Sequence, residues 1–155
     1  LSLFFRSVKL ISLVNPITNV PTGSPTVLVV DDEPDVLRLV EAILSEQGYH
    51  VILAKGADNA IRTFERMAKK PDLILTDVVM PGMSGPMLID HLLQNNPHLR
   101  VLFMSGYDDR QVVQKYVVEK GFALISKPFT LQRLGASVKD VLDGNPQIEP
   151  IEHTH

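Results

Sequence analysis

No cysteine occurs among the 155 residues, so disulfides and thiolate metal sites are excluded, a composition that suits a reducing compartment. No window approaches the roughly 20 consecutive apolar residues of a membrane-spanning helix. The nearest stretch, Leu1 to Val14, is interrupted by Arg6 and Lys9. No small-residue cleavage site follows it, which argues against a secretory signal. Nor is there a basic run: the net charge is −3 and the pI near 5.9, which argues against direct nucleic-acid binding. These absences predict a cytoplasmic chain without a membrane span, whose partners are proteins or small ions. An initiator methionine is also missing, so residues 1–25 are expected to be the upstream tail and linker of something longer. Ser2, Arg6 and Lys9 share one helical stripe, which leaves an amphipathic surface helix as the alternative for that tail.

What is present is a repeated unit. Residues 15–25 hold three prolines and a glycine and read as a linker. The domain is expected over 26–143, with 144–155 a disordered tail. His153 and His155 there are read as solvated rather than metal-binding, because no third ligand is near. Val27 to Val30 is a short apolar strand that runs into Asp31, Asp32 and Glu33. Pro34 then opens a helix with Val36, Leu39, Val40, Ile43 and Leu44 at helical spacing, stopped by Gly48. Strands are expected again at Tyr49 to Ala54, Leu73 to Thr76, Val101 to Met104 and Phe122 to Ile125. Between them fall helices marked by Ala57, Ala60, Ile61, Phe64 and Met67, then by Met87, Leu88 and Leu92. A further helix carries Val112, Val113, Tyr116 and Val117. The last places Leu131, Leu134, Val138, Val141 and Leu142 inward. Ser84, Asp108 and Thr130 are the expected caps. Five strands alternating with five helices imply an α/β fold, a parallel sheet covered on both faces with right-handed crossovers.

Four strands end in a polar residue that an apolar sheet does not require: Asp31 and Asp32, Asp77, Ser105, and Lys127. The carboxyl ends of strands are where open α/β sheets bind ligands. Taken singly, an aspartate there reads as a helix cap, a serine before glycine as a turn, and a lysine as surface charge. Taken together, three converging carboxylates need a cation, and an all-oxygen set suits Mg²⁺. Lys127 then supplies a point charge and Ser105 a hydroxyl for a phosphoryl group, and Asp77 is the natural nucleophile.

The segments Val29-Val30-Asp31-Asp32-Glu33, Thr76-Asp77-Val78-Val79-Met80-Pro81-Gly82, Met104-Ser105-Gly106 and Ser126-Lys127-Pro128-Phe129 resemble the receiver domains of two-component response regulators. The resemblance spans Thr26 to Asp143. It implies a flavodoxin-like doubly wound (βα)5 sheet with strand order 2-1-3-4-5. It also implies a phosphoprotein that takes a phosphoryl group from a histidine kinase or a histidine phosphotransfer protein. Carried over, Asp77 matches the phosphoacceptor, Asp32 and, through water, Asp31 the Mg²⁺ ligands, and the Val79 carbonyl a further ligand. Ser105 matches the switch hydroxyl and Lys127 the phosphoryl-contacting lysine, with a cis peptide expected at Lys127-Pro128. Val79 and Tyr107 match the positions that flank the attacking water. Leu124 stands where many receivers carry Tyr or Phe, so the resemblance stops short of an aromatic gate. The Ser-Gly-Tyr and Lys-Pro-Phe combination is most similar to receivers joined to hybrid histidine kinases.

Three rivals are weaker. An aspartate-nucleophile phosphatase of the haloacid dehalogenase type carries a second acid two positions after the nucleophile, and Asp77 is followed there by Val79. A flavodoxin-like cofactor binder needs a Ser/Thr/Gly phosphate loop after the first strand, where this chain is acidic. A degenerate receiver serving only as an interaction module would not need the complete acid, hydroxyl and lysine set.

Overall fold

The structure, a computed structural model, describes residues 23–106 and 109–144. The expectations for residues 1–22 and 145–155, and for Tyr107 and Asp108, lie outside them. The elements run β1 (Thr26–Asp31), α1 (Pro34–Glu46), β2 (His50–Lys55), α2 (Ala57–Arg66), β3 (Leu73–Asp77), α3 (Gly85–Leu93) and β4 (Val101–Ser105). Then come α4 (Arg110–Val112), which passes into a π-helical stretch (Val113–Val118), β5 (Ala123–Ser126) and α5 (Leu131–Leu142). All four strand pairings are parallel and the sheet order is β2-β1-β3-β4-β5, as the motifs imply.

The apolar strands are sorted face by face, because successive side chains of a strand point to opposite sides. Leu28, Val30, Ile74, Val101, Phe103 and Leu124 join one core with residues of α2 and α3, together with Val113 and Val117. Val27, Val29, Leu73, Leu75, Leu102, Met104 and Ile125 join the other with α1 and α5. Covering both faces explains why β1 and β3 read as continuous apolar runs rather than alternating ones.

Several helix expectations need correction. In α1 the inward residue is Leu37, while Leu39 lies 53 % exposed; the apolar spacing alone fits either residue at the edge of the stripe. Met87 and Leu131 are also exposed, since each stands in the first turn, beyond the edge of its core. Met67 is the C-cap of α2 rather than part of it, and the Lys70 ammonium donates to the Phe64 carbonyl at 2.6 Å, ending the helix early. The fourth helix is three α residues followed by a π-helix. Its wide turn is closed by Phe122 N–H donating to the Val117 carbonyl at 2.9 Å. That closure stacks Tyr116 on Phe122, with ring centroids 5.6 Å apart, and sets both edge-on to Phe103. Ser84 and Thr130 cap α3 and α5 as expected, accepting from Met87 and Arg133 N–H.

Candidate functional site: an acidic cluster at the carboxyl edge of the sheet

Register decides which side chains meet. Val30 pairs with Thr76, so Asp31 at the end of β1 lies beside Asp77 at the end of β3. Asp77 pairs with Met104 and Met104 with Ile125, which brings Ser105 and then Lys127 to the same edge. The Lys127 N–H donates to the Ser105 carbonyl at 2.8 Å and the Val78 N–H to the Met104 carbonyl at 3.0 Å, locking the three strand ends together. The Lys127-Pro128 peptide is cis.

Asp31, Asp32 and Asp77 each offer a carboxylate oxygen, and these atoms lie within 4.8 Å of one another. Asp31 is fully buried. Its Oδ1 accepts from Glu33 N–H at 2.9 Å and its Oδ2 from Lys127 Nζ at 3.0 Å. Neither aspartate acts as the N-cap of α1: that position is Glu33, which makes no capping bond with its side chain. Asp77 Oδ1 accepts from Val78 N–H at 3.0 Å and faces Lys127 Nζ at 3.5 Å. Ser105 is buried at the end of β4, and Val79 is half exposed.

The electrostatics follow from this crowding. Burial pushes the Asp77 carboxyl up to about 7; Lys127 opposes the rise, while the charges of Asp31 and Asp109 add to it. Burial works against the charge of Lys127, yet its bond to Asp31 and the charges of Asp77, Asp31 and Glu33 outweigh that and leave the ammonium above its usual value. One lysine cannot balance three carboxylates. The donor set is oxygen only, compact and partly open, which fits a small hard cation such as Mg²⁺ that keeps some of its waters.

Two neighbours of the site carry no motif in the sequence. Gly85 N–H donates to the Val78 carbonyl at 2.9 Å, and a Cβ on Gly85 would stand 2.1 Å from the Asp77 carbonyl oxygen. Glycine is therefore required there for close approach, beyond its part in opening α3. Asp109 is buried in the turn after β4, where nothing but another acid in an acidic segment announced it.

The sequence profile of the response regulator receiver domain matches residues 27–139. The chain belongs to that family. Its relatives include the sensor kinase CckA of Brucella abortus, 34 % identical over 122 residues, covering 79 % of this chain and 13 % of the kinase. Another is the response regulator receiver protein CpdR of the same organism, 30 % identical over 117 residues, 75 % of this chain and 95 % of CpdR. A receiver domain protein from Clostridium thermocellum superposes with a TM-score of 0.71 at 26 % identity, covering 77 % of this chain and 95 % of that one. The receiver thus spans a small part of the sensor kinase it matches and nearly all of CpdR. Among the described residues no helix is long and apolar enough to cross a membrane.

Proposed function

We propose that this receiver accepts a phosphoryl group on Asp77 from a phosphohistidine of a histidine kinase or phosphotransfer protein. The observation that carries the reading is the cluster of Asp31, Asp32 and Asp77 within 4.8 Å, bridged by a lysine that touches two of them. An Asp77 carboxylate oxygen attacks phosphorus as the donor's phosphorus–nitrogen bond breaks, and that electron pair returns to the imidazole. Such transfer depends on placement and charge stabilisation more than on covalent chemistry by the protein. Lys127, anchored to Asp31, holds a positive charge beside the incoming phosphoryl oxygens, and Ser105 at the end of β4 offers them a hydroxyl. Asp31, Asp32, Asp77 and the Val79 carbonyl would hold Mg²⁺, which supplies further positive charge against the phosphoryl group.

In this reading residues 26–143 form the receiver and the chain has no separate enzymatic activity beyond accepting and losing its phosphoryl group. It works in the cytoplasm, alone or within a hybrid kinase, and hands a conformational change to a protein effector. Intact-mass measurement after incubation with acetyl phosphate tests it. One phosphoryl group is expected on the wild type with Mg²⁺, and none on Asp77→Asn or in excess chelator. Labelling of either control removes Asp77 or the metal from the mechanism.

A further inference from the structure

The far end of the sheet carries a cleft that the proposed phosphotransfer does not use. It measures about 370 Å³ and lies between the connection into β3, at Pro71 and Asp72, and the connection into β4, over 95–100. Ligands of open α/β sheets bind at the carboxyl edge; this is the amino edge. Asp77 stands five residues beyond Asp72 along the chain, about 16 Å at the usual rise of a strand. The backbone around the cleft is fixed. Asp72 N–H donates to the Thr26 carbonyl at 2.9 Å, and its Oδ2 accepts from Thr26 N–H at 2.8 Å. Ile74 N–H donates to the Arg100 carbonyl at 2.9 Å, Leu99 N–H to the Asn96 carbonyl at 3.2 Å, and the Asn96 carboxamide to the Leu92 carbonyl at 3.1 Å. The remaining polar side chains are uncommitted. Among the described residues, Arg100, His98 and Asn95 make no side-chain hydrogen bond or ion pair, and all three are exposed. Lys69, two positions before Pro71, is exposed and equally unpaired among them. Lys70 does not join this set, because its ammonium donates to the Phe64 carbonyl and sits 4.6 Å from the centre of that ring. The one acid lining the cleft is Asp72, and Thr26 already occupies one of its oxygens.

We propose that this amino-edge cleft binds a small organic phosphate of mononucleotide size, with Arg100 holding the phosphate. A guanidinium presents a planar fork of donors that meets phosphate oxygens two at a time. His98 adds a ring N–H two positions away, and Lys69 adds positive charge beside Pro71. Pro71, Pro97 and Leu99 supply apolar walls for the flat part of the ligand, and the Asn95 carboxamide offers its edge a donor and an acceptor. A volume of about 370 Å³ falls at the lower end of the range for small-molecule pockets. Since hydrogen bonds already order the backbone, binding requires little rearrangement beyond the side chains. The carboxyl edge is acidic and admits an anion only with a cation's help, whereas the free charge at this edge is positive and needs no metal.

An NMR titration of the full isotope-labelled chain in excess chelator reads the cleft directly. Adenosine monophosphate is the probe, with ribose phosphate, inorganic phosphate and adenosine compared at constant ionic strength. Saturable shifts are expected at the amides of Asp72, Asn95, Asn96, His98 and Arg100, with a dissociation constant below about 1 mM, and none at Asp77 or Val78. Each of the three comparison compounds should bind at least about tenfold more weakly, since each lacks part of the charge-assisted or apolar contact. Arg100→Gln should weaken binding of the nucleotide about tenfold or more, and Arg100→Lys should weaken it nearly as much, because it keeps the charge and loses the fork. Asp77→Asn should bind as the wild type does, which separates this cleft from the phosphotransfer site. The Arg100 side chain is exposed, so the variants should fold, and unshifted amide signals elsewhere in their spectra check that they do. No saturable shift up to about 10 mM nucleotide, shifts centred on the carboxyl edge, or wild-type affinity in Arg100→Gln overturns the proposal. Inorganic phosphate binding as tightly as the nucleotide overturns it too, because the apolar walls would then contribute nothing.

Discussion

Replacing Asp77 by asparagine should stabilise the metal-free protein at neutral and alkaline pH and do so progressively less in acid. The Asp77 carboxyl is raised from 3.8 to about 7, first by burial and then by the charges of Asp31 and Asp109 against the opposing Lys127. A folded-state value above the unfolded one means that the folded chain holds this proton more tightly. The associated stability is complete below about 3.8 and is lost as pH rises through about 7. At 1.36 kcal/mol per pH unit the span corresponds to an upper bound of about 4 kcal/mol. Water at the mouth of the site screens part of it, and asparagine forfeits the attraction to Lys127, so about 1–2 kcal/mol is expected at pH 8. Asparagine retains an Oδ1 for the Val78 N–H, so the backbone bond at 3.0 Å survives the change. Urea unfolding of both proteins from pH 4 to 8 in chelator gives the difference directly, with the other titrating groups largely cancelling. Saturating Mg²⁺ should then reverse the order at pH 8, because an ion bound only by the folded wild type stabilises it by mass action. A difference that stays flat across this range, or an Asp77→Asn protein less stable at pH 8 without metal, would refute the argument that burial and crowded charge govern this carboxyl.

Lys127→Ala leaves the fully buried Asp31 without its 3.0 Å partner, so metal-free stability should fall by about 3 kcal/mol. Mg²⁺ affinity should be kept and response to phosphorylation lost; calorimetric titration showing lost metal affinity would count against the assignment. Gly85→Ala puts a methyl 2.1 Å from the Asp77 carbonyl oxygen, a backbone atom that cannot rotate away. A loss of about 2 kcal/mol and labelling slowed about tenfold are expected by melting and mass spectrometry, and a neutral outcome would show that the β3 end shifts freely. Val79→Asn introduces a hydrogen-bonding group at a half-exposed position two residues beyond Asp77, the proposed phosphoacceptor. Decay of the phosphorylated form should accelerate by more than about threefold, or roughly 0.7 kcal/mol of barrier; a smaller change places control of lifetime elsewhere.

The linear chain determined the alternation of strand and helix, because runs such as Val27 to Val30 and Leu73 to Leu75 are apolar at every position and only a strand covered on both faces hides them. It also singled out the residues proposed to carry the chemistry, since Asp31, Asp32, Asp77, Ser105 and Lys127 interrupt those runs at one end only. Local propensity left the helix faces ambiguous: Leu37 and Leu39 are both leucines near the edge of one stripe, and only packing against the sheet selected Leu37. The π-helix, the need for glycine at Gly85 and the hydrogen bond that Gly106 N–H donates to Asp109 Oδ2 were invisible for a related reason. Each depends on distances between atoms brought together by parallel pairing of β3 and β4 and by the turns that follow them. So does the charge balance of the site, because the pressure on Asp77 comes from burial and from neighbours 46 and 32 positions away in sequence. Sequence spacing names the groups, but Coulomb energy and desolvation are set by separation in space, and only the folded sheet supplies that.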